Sequence, residues 1–163
     1  MRANEFLIEL ANSHYAISEP TINTYGLHYF FEAGSGDTYK VQVLWDGPVG
    51  TATVQFSKQQ GSGWVDHVTG TAKADSLRVF STVMHCVKDA IEREPEIETI
   101  SFDATQSEPS RVSLYHRFAV DIARYLPGWR FVGKSEQGWA GGRTGVHYVV
   151  SRKPKTLIRA DNS

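Results

Sequence analysis

Cysteine is nearly absent from this chain: among its 163 residues, Cys86 is the single thiol. One thiol excludes an intramolecular disulfide and a multi-thiolate zinc site, and it suits a reducing compartment. On a helix it reads as a small buried hydrophobe rather than a reactive group. Net charge is also nearly absent, because 17 basic and 18 acidic residues leave −1. No overall field therefore holds the chain on nucleic acid or on an anionic membrane. Long apolar runs are missing too, with nothing near the ~18–20 continuous apolar residues that cross a bilayer. The start, Met1-Arg2-Ala3-Asn4-Glu5, lacks the apolar stretch and small-residue cleavage site of a signal peptide. The expectation is a soluble, cytoplasmic protein with no membrane partner. There is no internal repeat.

What is present suffices for one core. Hydrophobic residues make up 40% of the chain, and chains of ~150 residues bury roughly two-thirds of their unfolded surface. The expectation is a single domain over 1–163, with an N-terminal helix and loop over 1–26 and a polar tail over 153–163. Phe6, Leu7 and Leu10 have helical spacing, and 12–26 reads as loop. Strands follow: Leu27–Glu32, then Tyr39–Trp45 and Gly50–Ser57 with period-2 alternation, separated by Gly34-Ser35-Gly36-Asp37 and Asp46-Gly47-Pro48 turns. After a turn at Gln59–Gly63, Trp64–Thr69 reads as a fourth strand.

The period then switches to 3.6 residues. Asp75 is placed to cap a helix over about Ser76–Arg93, whose apolar face is Val79, Phe80, Val83, Met84, Val87 and Ile91. Pro95 ends it, and Ile97–Ala104 reads as a strand. A second helix starts near Ser107, tolerates Pro109 in its first turn, and carries Leu114, Tyr115, Phe118 and Ile122 on its apolar side until Pro127-Gly128. Trp129–Gly133 and Val146–Ser151 read as the closing strands.

This element order is similar to that of the GNAT N-acetyltransferase family. The likeness is strongest where Ile100-Ser101-Phe102-Asp103-Ala104 leads to Ser110-Arg111-Val112-Ser113-Leu114-Tyr115 and then to Gly128-Trp129-Arg130-Phe131. GNAT proteins likewise follow their fifth strand with a helix bearing a Leu-Tyr pair and then a Gly-aromatic step. The same stretch also looks like small phage proteins. The resemblance implies an α/β fold with a mixed, mostly antiparallel central sheet flanked by helices, and transfer of an acetyl group from acetyl-CoA to an amine on a small molecule or protein.

The family's fourth and fifth strands splay, and acetyl-CoA enters the gap with its pyrophosphate on the amides opening the next helix. Here that implies Gly70, Thr71, Ala72, Lys73 and Ala74 as cofactor-binding residues, on a helix N-terminus suited to anions. The chain departs from the family by keeping only Gly70 where two spaced glycines follow an Arg or Gln, and by placing Asp75 where the phosphate would lie. An ordinary capped helix start is the other reading of that loop.

Tyr115 takes the place of the family tyrosine that protonates the departing thiolate, which needs a phenol within hydrogen-bond reach of sulfur. A tyrosine on an apolar helix side also reads as core. A base must accept the amine proton, and spacing does not choose among Glu32, Asp66 and His67; Asp66 and His67 join Tyr115 as the candidate catalytic set. Gly138-Trp139-Ala140-Gly141-Gly142-Arg143 presents an indole and a guanidinium on flexible glycines. Trp139 and Arg143 are thus candidates for partner or acceptor contact, or part of a hairpin loop folded on the sheet. Arg111 and Arg117 share one helical face, as a solvated surface or a partner-binding patch, and the balanced charge argues against nucleic acid.

His67-Val68-Thr69 has no second His-x-Thr, since His147 precedes Tyr148-Val149, and His28, His85 and His116 lack further ligands at metal-binding spacing. No metal is expected. Two readings stay open: an acyltransferase, or the same fold working as a protein- or nucleic-acid-binding module, such as a phage accessory or virion protein. A homodimer or a protein partner is compatible with either.

Overall fold

The computed structural model describes residues 14–45, 47–65, 73–105, 115–117, 119–120, 122–138 and 144–152. In chain order the elements are β1 (Thr21–Asn23), β2 (Gly26–Glu32), β3 (Thr38–Leu44), β4 (Thr51–Gln60), β5 (Gly63–Val65), α1 (Lys73–Arg93), β6 (Thr99–Thr105), α2 (Ile122–Tyr125), β7 (Trp129–Gly138) and β8 (Thr144–Arg152). Residues 115–117 and 119–120 are also helical and lead into α2.

Alternation along the strands decides which face is buried. Leu27, Tyr29 and Phe31 of β2, Tyr39, Val41 and Val43 of β3, and Ala52, Val54 and Phe56 of β4 all face the core, as do Ile100 and Phe102 of β6 and Val146, Tyr148 and Val150 of β8. The intervening residues stand on the other face and are largely polar. Burying each large side chain contributes about 1.5–3 kcal/mol. The predicted apolar face of α1 covers this surface: Val79, Phe80, Val83, Met84, Val87 and Ile91 are buried, together with Ala90 and Cys86. Burial pushes the Cys86 thiol well above its ordinary range, so it stays protonated and inert. Among the described residues no helix is long and apolar enough to cross a membrane.

Polar ties fix the helix on the sheet. The Tyr29 hydroxyl donates to Asp89 Oδ2 at 2.7 Å, and Arg93 Nε donates to the same oxygen at 2.7 Å. The buried Thr82 hydroxyl donates to the Arg78 carbonyl at 2.8 Å and accepts the Tyr15 amide at 2.9 Å, anchoring the incoming chain.

The strands form one sheet in the order β1-β2-β3-β4-β6-β8-β7, with β5 paired to β4 off this path. Neighbours are antiparallel except β4 with β6. The fold is thus the expected mixed, mostly antiparallel α/β class.

Four boundaries differ from expectation, each for a local reason. The loop expected over 12–26 holds β1, because the Asn23 side chain accepts the Tyr25 and Gly26 amides at 2.8 and 3.1 Å and turns the chain into a hairpin. The fourth strand was expected over Trp64–Thr69, but Gly61, at φ +62°, makes a two-residue turn that folds β5 back onto β4. The parallel neighbour of β6 is therefore β4 itself. Helix α1 begins at Lys73 rather than Ser76, so Asp75 lies inside its first turn instead of capping it; Lys and Ala are good helix formers and extend the end. Strand β7, expected over Trp129–Gly133, continues to Gly138, because its ladder with β8 runs on from Gly133 with Val149 to Gly138 with Thr144. The expected N-terminal helix, the start of the second helix near Ser107 and the tail over 153–163 lie outside the described residues.

Candidate functional site

The parallel pair β4/β6 shapes the site. Its register is set at one end, where the Gly50 carbonyl accepts the Glu98 and Thr99 amides at 2.7 and 3.0 Å. Pairing runs from Thr51 with Thr99 to Val54 with Phe102 and stops there, although β4 continues to Gln60 and β6 to Thr105. On that edge of β4 the next ladder is with β5 and begins at Lys58. Residues 55–57 of β4 and 103–105 of β6 therefore extend past the last rung with no ladder joining them, and this break in the pairing is the slot. Just before it opens, Thr53 Oγ1 and Ser101 Oγ lie 3.1 Å apart.

The two faces of the slot differ. On the core face Tyr115 is 4% exposed and packs against one aromatic from each side, with ring centroids 6.3 Å from Phe56 of β4 and 5.9 Å from Phe102 of β6. Phe80 of α1 at 5.1 Å and Tyr148 of β8 at 6.5 Å complete the cluster. Four aromatic rings thus hold the Tyr115 phenol beside the point where the strands part. On the opposite face, Asp103 follows Phe102, and its Oδ1 lies 2.5 Å from Nδ1 of His147, its partner across the β6/β8 ladder. Both side chains of this pair are partly exposed, at 30% and 25%.

The other sequence candidates are distributed as follows. Lys73 and Ala74 are the first two residues of α1, where amides lack intrahelical acceptors. Arg117 is exposed on the helical segment after Tyr115. Glu32 is exposed at the end of β2, separated from the slot by β3 and β4, so it is not brought to the site. Asp66, His67, Gly70, Thr71, Ala72, Arg111, Trp139 and Arg143 lie outside the described residues.

The Asp103–His147 pair is absent from the sequence reading. Asp103 stood there only within a strand, and His147 only as a failed partner for His67. Both occupy the off-core phase of adjacent strands, a signal that period-2 alternation carries, but their contact depends on the β6/β8 register. Of the other described histidines, His116 is exposed with its ring 6.1 Å from that of Tyr148. His28 meets the Asn23 and Gln42 amide groups at 3.0 and 3.1 Å, and His85 stacks on His14 with centroids 3.8 Å apart. Among the described residues no three metal-ligating side chains group together.

No protein-family model matches the sequence, and no curated protein matches it. Solved structures similar to the chain include two acetyltransferases. One is assigned as a phosphinothricin N-acetyltransferase, at 12% identity over 94% of this chain and 83% of that one, with a TM-score of 0.41. The other is a Bacillus subtilis acetyltransferase in complex with CoA, at 16% identity over 91% and 84% of the two chains, with a TM-score of 0.40. At these values the likeness is one of chain path alone.

Proposed function

We propose that this chain is a GNAT-like N-acyltransferase that moves the acetyl group of acetyl-CoA to an amine. The observation that carries the reading is the slot: a parallel strand pair that parts after Val54 and Phe102, with Tyr115 packed between Phe56 and Phe102 at the parting.

Acetyl-CoA supplies an activated acyl group as a thioester on a long amide-bearing arm. The residues present fit such an arm, because strand edges over 55–57 and 103–105 without a mutual ladder offer backbone N–H and C=O groups. Amide donors there would polarise a thioester carbonyl. The Tyr115 phenol is held beside the slot and would donate a proton to the departing sulfur. The first turn of α1, with Lys73 and the preceding Gly70, Thr71 and Ala72, is where the phosphates would rest. Trp139 and Arg143, between β7 and β8, would contact the acceptor.

Asp75, in the first turn of α1, favours a second reading, a binding module of the same fold, because an acidic residue in a first turn complements the helix dipole without a phosphate. Thermal unfolding with acetyl-CoA separates the two. A ligand at about 100 times its Kd adds about 2.7 kcal/mol of stability, so a clear upward shift in Tm is expected. No shift at millimolar acetyl-CoA would overturn the acyltransferase reading. The Tyr115→Phe variant keeps the ring packing, and it is expected to retain the shift while turnover falls by about 10²–10⁴. Unchanged turnover would remove Tyr115 from this role.

A further inference from the structure

We infer that His147 is the base that takes the proton from the acceptor amine, with Asp103 as its positioning residue; the assignment rests on the acyltransferase reading above. The two side chains project from opposed positions of β6 and β8, and His147 Nδ1 lies 2.5 Å from Asp103 Oδ1. A carboxylate only accepts, so this bond places an N–H on Nδ1, and in the neutral imidazole the lone pair is then on Nε2. The imidazole is thereby fixed in the tautomer and orientation a proton acceptor needs.

Location argues the same way. Asp103 is the first β6 residue beyond the last rung with β4, and alternation puts its side chain on the face opposite Phe102 and Tyr115. Asp103 thus stands at the slot on the face opposite Tyr115, and His147 is next to it on β8, one strand from the slot. Both members of the pair are partly open to solvent, as a site for a soluble amine requires. In the step, the amine lone pair forms the C–N bond at the thioester carbonyl carbon and the C–S bond breaks with its electron pair passing to sulfur. Before that attack His147 Nε2 takes the extra proton of the alkylammonium, directly or through one water; the remaining N–H proton leaves to solvent as the amide forms, and the Tyr115 phenolic proton goes to sulfur. Both side chains then re-equilibrate with solvent. Glu32, two strands away from the slot, has no comparable position.

The test uses acetyl-CoA with two small acceptors, n-butylamine and hydroxylamine. An alkylammonium with a pKa of roughly 10 must lose a proton before it attacks, whereas hydroxylamine is already neutral at about pH 7. In His147→Gln, turnover of n-butylamine is expected to fall by about 10²–10⁴, and by at least about tenfold more than turnover of hydroxylamine, with the acetyl-CoA thermal shift retained. Independently of activity, ¹⁵N spectra of the histidine rings should show His147 protonated on Nδ1 in the free protein, with that preference lost in Asp103→Asn. Full n-butylamine turnover in His147→Gln, equal losses with both acceptors, or the opposite tautomer would each overturn the inference while leaving the acyltransferase reading intact. An unsubstituted protein that is neither stabilised by acetyl-CoA nor active on either acceptor would remove both.

Discussion

Among single side chains, His85 gives the protein a pH dependence unrelated to its site. Burial, followed by the stacked His14 ring and then Lys88, holds the His85 imidazole below its ordinary 6.5, against the opposing pull of Asp89 and Glu92. His28 is lowered in the same sense, by burial and then by Lys40. Because the folded pKa lies below the unfolded one, the unfolded chain binds more protons once the pH drops beneath 6.5. Stability is therefore greatest above that value and declines as the pH falls through it. Asp37, held below 3.8 first by the Ser35 hydroxyl and then by Lys58, acts in the same sense, but its contribution is lost only in more acid solution. Thermal unfolding between about pH 7.5 and pH 5 should show a falling Tm, and His85→Asn should flatten that slope. An unaltered slope would assign the effect elsewhere. The position of His85 on a helix was readable from periodicity; its stacking on His14, 71 residues away in the chain, was not.

At the scale of elements, two glycines set strand geometry for different reasons. Gly26 closes the β2/β3 ladder opposite Leu44, and a Cβ there would run into the Val43 carbonyl oxygen, which the sheet holds in place. Gly61 has no atom within 4 Å of an added Cβ, and only its φ of +62° favours glycine. Gly26→Ala is accordingly expected to cost about 2–3 kcal/mol through overpacking, and Gly61→Ala about 1 kcal/mol through backbone preference alone. Denaturant unfolding of the two variants checks this; equal losses would discount the close approach at Gly26. The Gly61 turn also decides the site, since it sends β5 back along β4 and leaves β4 as the parallel partner of β6. A Gly-Ser pair flanked by polar residues signals a turn in sequence, but not which strand will stand next to β6.

For the molecule as a whole, the slot is a local interruption in a continuous sheet, and its backbone should report it. Amides on the slot-facing edges of 55–57 and 103–105 are expected to exchange hydrogen faster than the paired 51–54 and 99–102, and to slow when acetyl-CoA is added. Uniform protection along β4 and β6 without ligand would close the slot as a binding site. Period-2 alternation in β2, β3 and β4, the 3.6 period of α1 and the glycine-rich turns determined the mixed α/β class and most of the core from the sequence alone, because local burial patterns repeat with the geometry of each element. The tertiary structure decided which strands become neighbours. Thr53 meets Ser101 across 48 residues, and the Asp103–His147 contact spans 44, so the slot and the pair beside it exist only once long-range register is set. Periodicity places a side chain on a face; strand pairing alone places it beside another.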